Sequence, residues 1–141
     1  MDLLIINTAT LEKNPALGKA LVGAWYEIMS LMSTSDKTGV AARTAMAVAS
    51  GTDLAGFESQ VASTKMFYTP AEALALVNSD ELLATMQKVA EFSFDHGILG
   101  EGAPDAGFIG VAGPKGVYGS KTNVKLRFDT TYMQMAADGK L

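Results

Sequence analysis

Asn14-Pro15-Ala16-Leu17-Gly18-Lys19-Ala20-Leu21-Val22-Gly23-Ala24-Trp25-Tyr26-Glu27 is the stretch on which the fold class turns. Asn is a helix-capping residue, and Pro at the first helical position gives up an N–H that would be unpaired there anyway. Leu17, Leu21, Ala24, Trp25, Ile28 and Met32 then recur at helical spacing, which predicts a helix over about 15–32 with one apolar stripe facing a core. Gly18 and Gly23 lie inside that helix and cost about 1 kcal/mol each relative to Ala, so close packing against another backbone is their expected reason.

Downstream, the same signals repeat. A helix over about 36–50 is rich in Ala and stops at Gly51, and another over about 53–62 starts from Thr52 or Asp53 and carries Leu54, Phe57 and Val61. Thr69-Pro70-Ala71-Glu72 reads as a capping box opening a helix over 70–77, and Ser79-Asp80-Glu81-Leu82 opens a longer one over about 80–96 that Gly97 ends. From Gly97 to Gly119 the chain holds eight of its fourteen glycines and two of its four prolines, so residues 97–122 are expected as a loop, with one short strand at Phe108–Val111. A stretch of that length without regular structure is usually functional or packed against something else. Val124 to Phe128 alternates like a short strand, and Asp129 caps a last helix, the pair covering about 124–138. The expected class is mainly α with a few short strands.

Upstream of Asn14 the pattern changes. Leu3-Leu4-Ile5-Ile6 is a continuous apolar block, the pattern of a strand buried on both faces of a parallel sheet, and predicts a strand over 3–7. It is far too short to span a membrane, which takes about 20 apolar residues, and no basic leader or small-residue cleavage site marks it as a signal peptide. Such a strand needs neighbours, and the rest of the chain offers few.

Composition narrows the function classes. The chain has 141 residues, a formal net charge of −4, no Cys and one His. The missing cysteines exclude a zinc finger, a disulfide scaffold and a thiol enzyme, and a single His argues against a histidine-rich metal site. The acidic balance argues against a nucleic-acid partner, because phosphate neutralisation needs a basic patch. With 48% hydrophobic and 18% charged residues the chain is not a disordered tail.

No catalytic constellation emerges, and no cofactor or metal is expected. Gly110-Val111-Ala112-Gly113-Pro114-Lys115-Gly116 lacks the spacing of a phosphate loop and has Pro where a backbone donor is needed. No Ser sits in a Gly-x-Ser-x-Gly elbow, His96 is placed at a helix end where the dipole favours a cation, and Glu91 and Asp95 read as one solvated face. Trp25, Tyr26, Phe67 and Tyr68 are candidates for the lining of a small-molecule pocket. Trp25 belongs to the core stripe by spacing, whereas Tyr26 lies about 100° off it and is freer to face outward. The methionines at helical spacings read as core filler.

Longer runs carry a resemblance. Asp2-Leu3-Leu4-Ile5-Ile6-Asn7-Thr8-Ala9-Thr10-Leu11, followed by the stretch from Asn14 to Glu27, resembles the second half of periplasmic substrate-binding proteins of ABC importers, the class that includes nitrate, sulfonate and taurine receptors. Phe67-Tyr68-Thr69-Pro70-Ala71-Glu72-Ala73, His96-Gly97-Ile98-Leu99-Gly100-Glu101-Gly102-Ala103-Pro104 and Asn123-Val124-Lys125-Leu126-Arg127-Phe128-Asp129-Thr130-Thr131-Tyr132-Met133 are similar to the putative urea-type binding proteins encoded beside urea carboxylase.

The resemblance implies a type II periplasmic binding protein parent, an α/β fold of two lobes that closes on ligand in the cleft between them. It implies a periplasmic location for that parent, an ABC permease as partner, and urea, guanidine or a related amide as ligand. Residues 3–7 then resemble the segment that returns the chain to the first lobe, and Met1 an internal start. Asn7 and Thr8 are the expected ligand contacts, with Trp25 and Tyr26 behind them. On this view the chain lacks the N-terminal lobe, binds no ligand alone and associates through its apolar strand. A small all-helical interaction module is the alternative class, and a thiamine-pyrimidine synthase-like enzyme of the same fold is a more distant one, since those enzymes depend on iron and on histidine-rich or cysteine-rich segments.

Overall fold

The computed structural model describes residues 3–141; Met1, read above as an internal start, and Asp2, the first residue of the run compared with binding proteins, lie outside the described residues. The chain divides into two compact units, one of residues 3–72 with 132–141 and one of residues 73–131. It is mainly helical with one small sheet.

The first unit holds α1 (Thr8–Lys13), α2 (Pro15–Ser33), α3 (Lys37–Ala49), α4 (Leu54–Ala62) and nearly all of α7 (Thr131–Ala137). Short polar side chains set where these helices start. Asp36 Oδ1 accepts the Gly39 N–H at 2.8 Å, Asp53 Oδ1 accepts the Gly56 N–H at 2.8 Å, and Asn7 Oδ1 accepts the Thr10 N–H at 3.2 Å. Each bond satisfies a donor that the helix itself leaves unpaired. Gly51 and Gly139, at φ 74° and 66°, provide the left-handed stops after α3 and α7.

The core of this unit is built from Met29 and Met32 of α2 and Ala47 of α3, all buried. Its glycines admit close neighbours. A Cβ at Gly18 would lie 2.5 Å from carbons of the Tyr132 ring, so an aromatic ring from α7 rests directly on the α2 backbone. Gly18 is therefore explained by an aromatic ring and not by the second backbone expected from sequence. Gly39 meets the Thr34 and Leu31 carbonyls where α3 leaves α2. Arg43 then ties three helices together: its Nη1 donates to the Met32 and Thr34 carbonyls at 2.9 and 2.6 Å, and its Nε to Glu58 Oε1 of α4 at 3.0 Å. The C-terminal carbonyls of α2 are thus capped from α3.

The second unit contains most of α5 (Pro70–Val77), α6 (Glu81–Asp95) and the strands β1 (Gly110–Gly113), β2 (Gly116–Tyr118) and β3 (Val124–Arg127). The capping box at the start of α5 forms reciprocally, with the Thr69 N–H donating to Glu72 Oε2 at 2.9 Å and the Glu72 N–H to Thr69 Oγ1 at 3.3 Å. The sheet runs β2-β1-β3, β1 pairing antiparallel with β2 through Val111 and Tyr118 and parallel with β3 through Val111 and Leu126. α6 packs on β1 and β2, burying Leu82 and Met86, and Val111 of β1 is buried too. At Gly110 the Ser120 carbonyl occupies the place of a side chain, which fixes glycine there.

Four expectations are corrected. Residues 3–7 form no strand: Leu3, Leu4 and Ile5 are 40, 49 and 72% exposed, because the unit they belong to is helical and offers no sheet edge among the described residues. Asn14 makes no side-chain cap for α2; Asn7 does this for α1, a helix that the apolar-block reading did not foresee. The span 97–122 is not all loop, since β1 and β2 form a hairpin around Pro114-Lys115. Trp25 is 43% exposed while Tyr26 is half-buried, the reverse of the sequence-based order, even though Trp25 shares the helix face of the buried Gly18, Met29 and Met32.

Candidate functional site

The four expected ligand contacts lie in the first unit, on α1 and α2, two helices that pack on each other. Asn7 is exposed, but its carboxamide oxygen is already engaged, accepting from both the N–H and the hydroxyl of Thr10 at 3.2 and 3.4 Å. Thr8 opens α1 and is exposed. Trp25 and Tyr26 are adjacent on α2 and so point roughly 100° apart. Burial raises the Tyr26 hydroxyl above its ordinary value. No hydrogen bond joins the Asn7–Thr8 pair to the aromatic pair among the described residues. Phe67 and Tyr68 are half-buried and follow α4.

The second unit shows two open concavities that sequence reasoning did not identify. One, of about 560 Å³, is lined by Pro104, Asp105, Phe108, Ser120, Thr122 and Asn123. Its polar groups bond chiefly to one another: Ser120 and Thr122 share a hydroxyl contact at 3.2 Å, the Asn123 N–H donates to Ser120 Oγ at 3.1 Å, and Asn123 Nδ2 donates to the Phe108 carbonyl at 2.9 Å. Asp105 supplies the one formal charge of that lining. The other, of about 360 Å³, includes Pro114, Arg127, Phe128 and Asp129, and Asp129 Oδ1 accepts the Thr131 N–H at 2.8 Å. The density of glycine and proline between 97 and 119 was the sequence signal for both, because these residues make the turns that frame them. Neither concavity includes Asn7, Thr8, Trp25 or Tyr26.

The titratable groups are arranged structurally. Among the described residues no charged or polar side chain is buried, and no group of three His, Cys, Asp or Glu could hold a metal. His96 is exposed at the end of α6, with Nδ1 2.8 Å from the Phe92 carbonyl and its ring stacked 3.9 Å from the Phe92 ring. Glu91 and Asp95 are both exposed, and Glu91 Oε1 accepts from Gln87 Nε2 at 2.8 Å. Desolvation, then the charges of Glu91 and Asp105, raise the Tyr118 hydroxyl. No helix is long and apolar enough to cross a membrane among the described residues. Comparison with protein-family models, curated proteins and solved structures gives no match to this chain.

Proposed function

We propose that this chain belongs to the solute-binding component of an ABC importer for a small nitrogen compound such as urea, guanidine or a related amide. Its parent on this reading is a periplasmic, two-lobed α/β protein whose second partner is the permease. The resemblance of residues 67–73, 96–104 and 123–133 to the urea-type binding proteins supplies the class.

The single structural observation that supports it is the uncovered apolar run at Leu3, Leu4 and Ile5, 40–72% exposed in a helical unit with few large buried side chains. Apolar chain of that kind gains free energy only by packing on further protein, at about 25 cal/mol per Å² buried. A cleft receptor also holds its ligand by surrounding it, and both concavities on this chain are open. Asn7, Thr8, Trp25 and Tyr26 then contribute one wall of a site that further protein completes.

Two measurements test this. Calorimetry of the chain alone with urea and with guanidinium is expected to give no ligand-dependent heat, and a clear saturating heat would overturn the statement that these residues do not bind unaided. The DNA upstream of Met1 is expected to continue in frame through a first lobe and a signal peptide. A stop codon there, with no first-lobe gene beside it, would remove the transport reading and favour the helical interaction module.

A further inference from the structure

α6 has a second face that the second unit does not use. Leu82 and Met86 are buried, whereas Thr85, Val89, Phe92 and His96 follow one another at helical spacing and are all exposed, Val89 at 51% and Phe92 at 56%. Steps of three and four residues put these four on one line along the helix. Ile98, 67% exposed, follows just past the helix, its N–H held by the Ser93 carbonyl at 2.8 Å. Stacking of His96 on Phe92 sets both rings before any partner arrives. Alongside runs a second exposed line, Glu81, Lys88 and Asp95, repeating every seventh residue and carrying both signs of charge.

The pattern is complementary to itself. When two copies of α6 lie antiparallel about a two-fold axis between positions 90 and 91, Val89 faces Phe92 of the other copy and Thr85 faces His96 of the other copy. A two-fold axis of this kind also brings the charged line of one copy against the same line of its mate. Lys88 then approaches Asp95 of the other copy, and the reverse, with an offset of about 3 Å along the axis that a lysine stem spans easily. A flanking line of one sign would repel its mate in this arrangement; the alternation of Lys88 with Asp95 makes it attractive.

We propose that the exposed stripe of α6 is a self-association surface whose occupant is a second copy of this chain, paired antiparallel through Val89 and Phe92 and registered by Lys88 and Asp95. Sedimentation of the full chain from about 1 μM to about 1 mM tests it, since a modest interface falls in that range. The wild-type chain is expected to form a dimer. Phe92→Asp, an exposed substitution whose folding is checked by circular dichroism, is expected to weaken it at least about tenfold, the usual effect of losing a central aromatic contact. Lys88→Glu is expected to weaken it and Lys88→Glu with Asp95→Lys to restore it. A monomer across the whole range, a Phe92→Asp chain that associates as well as wild type, or a double reversal that recovers nothing would each overturn the proposal. The second of these outcomes would point to Leu3–Ile5 as the sticky surface, and none of them depends on solute binding.

Discussion

In the unit of residues 73–131, Leu74, Val77, Leu82, Met86 and Val111 are buried, and Leu82 on α6 is only 1% exposed beside a small sheet. In the helical unit, the corresponding large buried side chains are Met29 and Met32, joined by Ala47, and the joints between helices are made by other means. There, a tyrosine ring lies on bare glycine backbone, and one arginine clasps two carbonyls and a carboxylate. The contrast separates two sources of order. Branched aliphatic side chains stabilise by the area they remove from water, whereas close backbone approach and charged hydrogen bonds stabilise by geometry and tolerate less change.

The largest effect expected from breaking the first kind of order is at Leu82. Leu82→Ala leaves a cavity where α6 meets β1 and β2, and a loss of about 3 kcal/mol is expected by denaturant titration, with faster amide exchange in those three elements. A loss under about 1 kcal/mol would mean that the sheet collapses onto the gap. Breaking the second kind is expected to cost somewhat less. Arg43→Met keeps an apolar stem but strands the Met32 and Thr34 carbonyls, for about 2 kcal/mol, and thermal unfolding that matches wild type would show water replacing the guanidinium.

The smallest expected effect is a difference in pH response. Asp36, Glu72 and Asp138 all have carboxyls held below the ordinary range, chiefly by the Gly39 N–H, the Thr69 N–H and Lys140 respectively. All three belong to the helical unit. A depressed carboxyl adds stability that is present above its unfolded value and is lost as pH falls through its folded one. Below about pH 4, amide protection is therefore expected to fall first around the starts of α3 and α5. In the other unit the raised Tyr118 hydroxyl adds stability that is lost only as pH rises past about 10. Acid loss that begins instead in α6 would contradict this division.

Much of the helical plan was legible because its punctuation is local. Asp36, Asp53 and the Thr69–Glu72 pair sit within three residues of the groups they bond, so the sequence displays both partners at once. The core side of α2 was not legible in the same way. Of the expected stripe Met32 is buried but Ala24, Trp25 and Ile28 are exposed, whereas Gly18 and Met29 are buried outside it, Gly18 because the Tyr132 ring of α7 rests on it. The β1–β2 hairpin was hidden among glycines, whose strand role is set by the Ser120 carbonyl approaching Gly110 and not by side-chain alternation. Asn7 is an expected ligand contact only through the resemblance, and its capping bond to Thr10 is not legible without recognising α1. The exposed stripe on α6 was not legible, because only its burial pattern distinguishes it from the side that meets the sheet.

The seat of Tyr132 on Gly18 also sets an order of events during synthesis. The unit of residues 73–131 contains all the sequence it needs once Thr131 has left the ribosome, whereas the helical unit takes in residues 132–141. Chains emerge N-terminus first, and contacts distant in sequence form late. α2 is thus made well before the residues that complete its packing, and until Tyr132 has followed it the bare backbone at Gly18 stays uncovered.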